Sequence, residues 1–455
     1  MTIGEGRGKN MSRQQRFLTD TYGAYHQAQV PPYDETLARV APGTPGGEYL
    51  RRFWHPVAQS AVLGDLPVAI RRLGEDLVIY RDKSGEIGLL ELHCSHRGTS
   101  LEFGKVEEIG IRCCYHGWLF GNDGAILEAP AEPDENPYVG KLYHGAYPTV
   151  EHQGLVFAYM GPPDKKPPFR RFETFEQDGL VFGIGERLGG NVKPCNWLQI
   201  MDNVADPVHE AYLHASVFGV QFRDVDGRPV EELCDKGHDD YWTTDHGVTC
   251  HVARRVKDTI WVRSMEYVVP NVIQLRNMPL LPPVFPEGED TVGTPPLVTR
   301  WRVPIDDENT VEYSFVYGQD QSVDYLSEPS DALATNYGDR SYEDRQRYPG
   351  DWDAQVSQRP IAVHGIEHLG RSDRGVALVR RMIREGIETV QRGDDPLGID
   401  QAENGLTPIY ANEIVRQAPP GATPEKDQEL IRKVSREAFD QVLAGQRPPL
   451  ATSTL

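Results

Sequence analysis

Residues 93–118 read HCSHRGTSLEFGKVEEIGIRCCYHGW, which places Cys94 and His96 in a C-x-H pair and Cys113 and His116 in a C-x-x-H pair, sixteen residues apart. Two thiolates and two imidazoles can hold one tetrahedral zinc, or a 2Fe-2S cluster with cysteines on one iron and histidines on the other. A zinc finger of the common kind puts both cysteines in one pair and both histidines in the other. Here each pair supplies one of each, which suits two β-hairpin loops gripping a cluster from opposite sides. Zinc stays the alternative, and Cys114 makes one cysteine too many for either.

Six cysteines in 455 residues are too few for a disulfide scaffold. A net charge of -21 repels phosphate backbones and anionic membrane surfaces, which argues against nucleic acid as the main partner. No run approaches the ~18 apolar residues of a membrane span, and the polar start MTIGEGRGKNMSRQQR lacks the apolar core of a secretory signal. The expected location is the cytoplasm, with no membrane partner. Arg51, Arg52, Arg71, Arg72, Arg97 and Arg112 gather around the quoted stretch and are expected on a solvated surface rather than in a docking patch.

Working outward, residues 1–43 read as a polar tail and short arm. From 44 to about 165 the text is β-like: EDLVIYR and IGLLELH flank the turn DKSGE, WLF and AILEA flank GNDG, and GLVFAYMG closes the block. PPDKKPPFRRF sets a boundary near 165. Residues 166–455 mix a helix at 196–216 with successive strands in TTDHGVTCHVARRV, TIWVRSMEYVV, NVIQLRNM, LVTRWRVPI and TVEYSFVYG. Two helices follow, one N-capped by Ser372 and stopped by Gly393, the other from about Pro424 to Leu443. The fold class is α+β: an all-β first domain, then a central antiparallel sheet flanked by helices.

A second metal site is written in CNWLQIMDNVADPVHEAYLH. Asp206 and His209 are three residues apart and share a helix face. His209 and His214 are five apart, about 140° around a regular helix, so both can face one metal only if the helix widens, as in a π-bulge. Two histidines and a carboxylate form the facial triad of non-haem iron(II). The carboxylate must come from far away, and Asp351, Asp353, Asp394 and Asp395 are the candidates.

In CSHRG and CCYHGW together the chain resembles a Rieske domain, whose pattern is C-x-H, a spacer, then C-x-x-H followed by Gly-Trp. In that frame Cys113 is the ligand and Cys114 a buried neighbour. About ninety residues further on, the form NW....DN..D..HE.Y.H is similar to Rieske non-haem iron oxygenases. The passage PGDWDAQVSQRPIAVHGIEHLGRSD resembles the phthalate dioxygenase-like and aromatic O-demethylase branch, with Asp351, Gln358, Pro360 and EHLGRSD in its frame. That assigns Asp351 as third ligand and Asp353 as runner-up; Gly350 stands where the branch often has Glu.

The resemblance implies one 2Fe-2S cluster and one Fe(II) per chain, O2 as co-substrate, and a ferredoxin or flavin reductase as electron donor. It implies a homotrimer in which Asp206 orients His209 and bridges to His116 of the neighbouring subunit. The expected reaction is hydroxylation or O-demethylation of a carboxylated or methoxylated aromatic, with cis-dihydroxylation as the alternative. A Rieske electron carrier or a zinc-stabilised binding module are the rivals from other classes. An anionic substrate needs a cation, but Arg223, Arg254, Arg255, Arg263, Arg276 and Arg302 are each expected at the surface or a strand edge.

Overall fold

The computed structural model describes residues 32–176, 181–184, 191–222, 229–275, 290–294, 298–318, 340–399 and 405–444. Arg223 and Arg276 lie outside them. Two short helices, α1 (Glu35–Ala38) and α2 (Pro45–Leu50), open the described chain. Asp34 caps α1 by accepting from Thr36 and Leu37 N–H, and Thr44 caps α2.

The first β block is built from small antiparallel sheets. Strand β1 (Trp54–Gln59) is followed by the meander β2 (Val68–Arg72), β3 (Glu75–Arg81) and β4 (Ile87–Glu91). A four-stranded sheet follows, from β5 (Lys105–Val106), β6 (Ile111–Arg112), β7 (Leu119–Phe120) and β8 (Ile126–Glu128). Strands β9 (Thr149–His152) and β10 (Leu155–Tyr159) return to pair with β1. Asp82 fixes the β3–β4 turn by accepting from Ser84 Oγ at 2.6 Å and Glu86 N at 3.0 Å. Val78, Tyr80, Leu90, Ile111, Trp118, Phe120 and Ile126 pack as one core that includes Cys94 and Cys113. The ligand cysteines are therefore part of the hydrophobic interior that joins the two sheets.

The basic cluster does not form a solvated face. Arg51 and Arg52 are each 3% exposed and Arg72 is 7% exposed. Arg51 donates to Val40 O, Leu73 O and Glu75, Arg72 donates to Val57 O and Tyr313 Oη, and Arg52 pairs with Asp395. Buried guanidinium groups need such partners; Arg52 and Arg72 staple the β block to later segments, while Arg51 ties it to the preceding arm. Only Arg71, Arg97 and Arg112 approach solvent.

Helix α3 (Trp197–Ala205) leads to the short α4 (Val208–Ala211) and then to a central antiparallel sheet. Of its ten strands we name six: β11 (His238–Thr243), β12 (Gly247–Val256), β13 (Thr259–Val268), β14 (Val272–Leu275), β15 (Val298–Pro304) and β16 (Thr310–Gly318). They lie in the order β16-β15-β14-β13-β12-β11. The expected strand TTDHGVTCHVARRV is in fact a turn at Thr244–His246 leading into β12, and β11 precedes it.

Strands β12 and β13 are covered on both faces, so they read as nearly continuous buried runs rather than alternating ones. Ala253, Ile260 and Val262 pack under α7 (Pro424–Leu443). Val248 and Tyr267, with Ile273 of β14, pack under α3 and α6 (Arg374–Gln391), and this core continues without a gap into Val57, Leu77 and Ile79 of the first block. Helix α5 (Asp351–Val356) lies against α3. Its boundary partner α6 begins after Asp373 rather than at Ser372, because residues 371–373 close a separate 3₁₀ turn.

Gly375 of α6 shows how tightly these helices meet. A Cβ there would lie 2.0 Å from Ala205 O and 2.4 Å from a Tyr241 ring carbon. Gly375→Ala must push α6 away from the end of α3, at a cost of about 1–3 kcal/mol. A thermal-unfolding midpoint lowered by several degrees is the expected result; an unchanged one would contradict the packing described.

Candidate metal centres

The first site is two matching loops. In one, Gly98 N donates to Cys94 O at 2.8 Å and Cys94 N to Thr99 O at 2.9 Å. In the other, Gly117 N donates to Cys113 O at 3.1 Å and Cys113 N to Trp118 O at 2.8 Å. Gly98 and Gly117 both have φ of +74°, the left-handed conformation that lets each loop close. The loops bring the four residues together: Cys94 and Cys113 are buried, while the His96 and His116 rings sit 4.5 Å apart towards solvent. His96 stacks on Trp118 at 4.7 Å.

These residues fit a 2Fe-2S cluster. His96 Nδ1 is buried and has no hydrogen-bond partner, which a ligand bond would satisfy. Burial pushes the Cys94 thiol up to about 11, and neighbouring Cys113 adds to the rise. Such thiols become thiolates only when a metal takes their protons. Cys114 is exposed, not buried as expected. Cys113→Ser should abolish the cluster's visible absorption and Cys114→Ser should keep it. The reverse pattern would exchange their roles.

The second site begins where α3 stops. Pro207 has no N–H to continue the helix and holds Asp206 in a non-helical conformation, so 196–216 is not one helix. The Asp206 carboxylate accepts from Val208 N, the first N–H of α4, at 2.9 Å across Pro207. Residues Tyr212–Ser216 form a π-helical turn. That widening turns His214 towards His209, with ring centroids 5.3 Å apart.

Asp351, at the first position of α5, meets them. Its Oδ1 lies 3.1 Å from His214 Nε2 and 3.4 Å from His209 Nε2, and the three ligand atoms all lie within 4.8 Å of one another. Asp353 faces elsewhere, accepting from Arg345 Nε at 2.6 Å and Gly350 N at 3.1 Å. Asp394 and Asp395 are remote, Asp395 being the partner of Arg52.

Hydrogen bonds fix both imidazoles with Nε2 towards the gap. Gln221 Nε2 donates to the carbonyls of Leu213 and Pro349, so its Oε1 must accept, and His214 Nδ1 donates to it at 2.9 Å. His209 Nδ1 donates to the backbone carbonyl of Asp206. Each Nε2 is thereby left to face Asp351. Burial opposes charge on Asp351, but the two imidazoles outweigh it and hold the carboxyl well below its usual range. Burial also opposes protonation of His209, and Asp351 overrides it, pushing the ring up to about 9. The carboxylate demands a cation between the rings, and a ferrous ion meets that demand with neutral imidazoles.

Several supporting residues went unread in the sequence. Asn203 Nδ2 donates to Asp351 Oδ1 at 3.1 Å. Gln199 Nε2 donates to Gln355 O at 2.9 Å and its Oε1 accepts from Ala362 N at 2.8 Å, tying α5 to α3. The buried glutamine of α5 is Gln355, whereas Gln358 is exposed. Glu210, next to His209, pairs with Arg263 at 2.7 Å and Arg254 at 3.3 Å. Arg254, Arg263 and Arg302 are 0%, 2% and 4% exposed, not at the surface, because Glu210 and Glu312 lie beside them. Arg255 pairs with Asp427. For Asn203 the available signal was its place in the form NW....DN..D..HE.Y.H, three residues before Asp206.

Residues 53–144 match the Rieske [2Fe-2S] domain family, and residues 194–336 match the vanillate O-demethylase oxygenase C-terminal domain. Over 451 residues, 92% of each chain, the protein is 39% identical to the tert-butanol monooxygenase / tert-amyl alcohol desaturase oxygenase subunit of Aquincola tertiaricarbonis. It is 38% identical to the phenoxybenzoate dioxygenase subunit alpha of Ectopseudomonas oleovorans, over 83% of this chain and 90% of that one. In fold it is similar to the QL mutant of Pseudomonas putida CBB5 NdmA with theobromine, at TM-score 0.56 and 20% identity, covering 76% of this chain and 93% of that one.

The chain belongs to the Rieske non-haem iron oxygenases, as a terminal oxygenase (alpha) subunit of the phthalate dioxygenase-like and O-demethylase branch. It is an oxidoreductase with a Rieske 2Fe-2S cluster and a mononuclear non-haem iron, using O2 and electrons from a reductase or ferredoxin partner. Among the described residues, no helix is long and apolar enough to cross a membrane.

Proposed function

We propose that this oxygenase hydroxylates or O-demethylates an aromatic substrate bearing a carboxylate or methoxy group. Cys94 and Cys113 hold one iron of the cluster and His96 and His116 the other; His209, His214 and Asp351 hold the mononuclear iron. When bound, these groups supply one-electron transfer and O2 activation respectively. The single observation that carries the reading is the convergence of His209, His214 and Asp351 in a chain that also bears the paired Cys/His loops. The division into an arm (1–43), a Rieske domain (44–165) and a catalytic domain (166–455) belongs to the same proposal.

Asp206 is a positioning residue. Its carbonyl orients His209, and its carboxylate stands at the break between α3 and α4. Next to His116, Tyr115 is 57% exposed; next to the iron site, Tyr212 and Val217 are 53% and 60% exposed. Two different apolar patches on one chain suit a head-to-tail contact, and such contacts close into rings. This reading takes the protein as a cytoplasmic homotrimer, with His116 of one chain against Asp206 of the next.

A second reading, hydroxylation of a small tertiary alcohol, is favoured by the 39% identity to the tert-butanol enzyme. Supplying the holoenzyme with an electron donor, methoxybenzoates, phenoxybenzoates, phthalates and tert-butanol separates them. Formaldehyde, phenol or cis-diol from an arene supports the first; a diol from tert-butanol alone supports the second. Oxidation of none overturns both.

A further inference from the structure

Resting on the proposed reading of the iron site, we propose that Arg300 is a specificity-determining residue that receives the anionic group, a carboxylate, of the substrate. Arg300 stands on β15 between two directly opposed partners, Ile273 of β14 and Ser314 of β16. Opposed residues share a sheet face. Ile273 packs with Trp197, Leu198 and Met201 of α3, so Arg300 emerges on the side of the sheet that carries the iron helices.

Over this side of the sheet α3 and α5 run side by side: Gln199 bonds Gln355, and Asn203 bonds Asp351. At the foot of α5, Gln355 Oε1 accepts from Lys193 Nζ at 2.8 Å, and Lys193 lies 3.2 Å from Glu312 of β16. Asp351 is four residues up the helix, about 6 Å, and Ser314 two residues along the strand, about 7 Å. Arg300 therefore lies on the sheet face that carries the iron helices, one opposed pair from Glu312, which is tied through Lys193 and Gln355 to the helix of Asp351.

Its electrostatic situation differs from that of its neighbours. On the same face, Arg254 and Arg263 are paired with Glu210, and Arg302 with Glu312. Glu312 is already shared by Lys193 and Arg302, and Arg300 attracts it only through space, without an ion-pair contact. Arg300 donates from Nε to the neutral Ser314 Oγ at 2.7 Å, and no carboxylate pairs with its two terminal nitrogens among the described residues. Ile273 and Ser314 are fully buried, yet Arg300 keeps partial access to solvent. A planar guanidinium held at Nε and open at both Nη atoms matches a carboxylate's two oxygens. In this low-dielectric setting such a pair discriminates strongly against an uncharged analogue.

The test compares wild type, Arg300→Gln and Arg300→Lys holoenzymes, all checked for iron content and Rieske absorption. Binding of 3-phenoxybenzoate and 4-methoxybenzoate is measured by calorimetry against the neutral 3-phenoxytoluene and 4-methoxytoluene. The expected result is about 30-fold weaker carboxylate binding in Arg300→Gln. Neutral binding should be unchanged, and Arg300→Lys should restore part of the loss. Equal losses for both series, no loss for either, or wild type that binds no carboxylate probe would overturn the inference. If wild type oxidises only tert-butanol and binds no carboxylate, the inference falls while the oxygenase assignment stands. Arg300-dependent carboxylate binding without oxidation would uphold the subsite and overturn the proposed reaction.

Discussion

Asp351→Ala is expected to abolish oxygenation while leaving the protein folded and coloured. Asp351 is the sole carboxylate among the described residues that meets both His209 and His214. Removing it leaves two imidazoles, too few to retain a labile ferrous ion in a facial site. The Rieske loops are separate in the fold and keep their own ligands, so iron content should fall from about three to about two per chain. Product formation should drop by at least about 1000-fold, since no O2 activation remains. Asp353→Ala is the matched control: Asp353 caps α5 and pairs with Arg345, so it should lower thermal stability by about 1 kcal/mol and leave iron bound. Full activity in Asp351→Ala would refute the assignment.

Asp206→Asn should spare both metals and slow turnover. Its backbone carbonyl still accepts from His209 Nδ1, and an asparagine oxygen can still accept from Val208 N. What is lost is the negative charge. Burial pushes the Asp206 carboxyl up and His209 pulls it back, so the charge is held at some cost at the junction of α3 and α4. Losing a charge beside a ligating histidine, like other changes just outside the ligands, typically costs about 10- to 100-fold. The expected loss is about 100-fold in the reoxidation rate of the reduced cluster, with both iron contents unchanged. An unaltered single-turnover rate would remove Asp206 from the path between centres.

Much of this was legible in the residues because it depends on local spacing. Cys94, His96, Cys113 and His116 are readable as a set because each loop carries its own ligands and its own left-handed glycine. The π turn was legible as a necessity: His209 and His214, five residues apart, cannot share a face otherwise. The strands Glu75–Arg81 and Thr259–Val268 and the helix Pro424–Leu443 follow from their patterns. What escaped is non-local. Whether an arginine is solvated or buried depends on polar partners brought in by the fold, as Arg263 depends on Glu210 and Arg72 on Val57 O and Tyr313. Asp351 could be preferred to Asp353 only through a resemblance, because the two differ by where α5 points them. Gln199 and Gln355 were unreadable for the same reason: their roles exist only once α3 and α5 lie side by side.

The central claim is that the Cys/His loops of one chain feed the iron site of its neighbour. Co-expressing Cys113→Ser and Asp351→Ala chains tests it directly, because each alone is expected to be inactive. In randomly mixed trimers an intact cluster faces an intact iron site at about a quarter of the interfaces. The predicted result is about a quarter of wild-type oxygenation in the hybrids; hybrids as inactive as either parent would contradict transfer between chains.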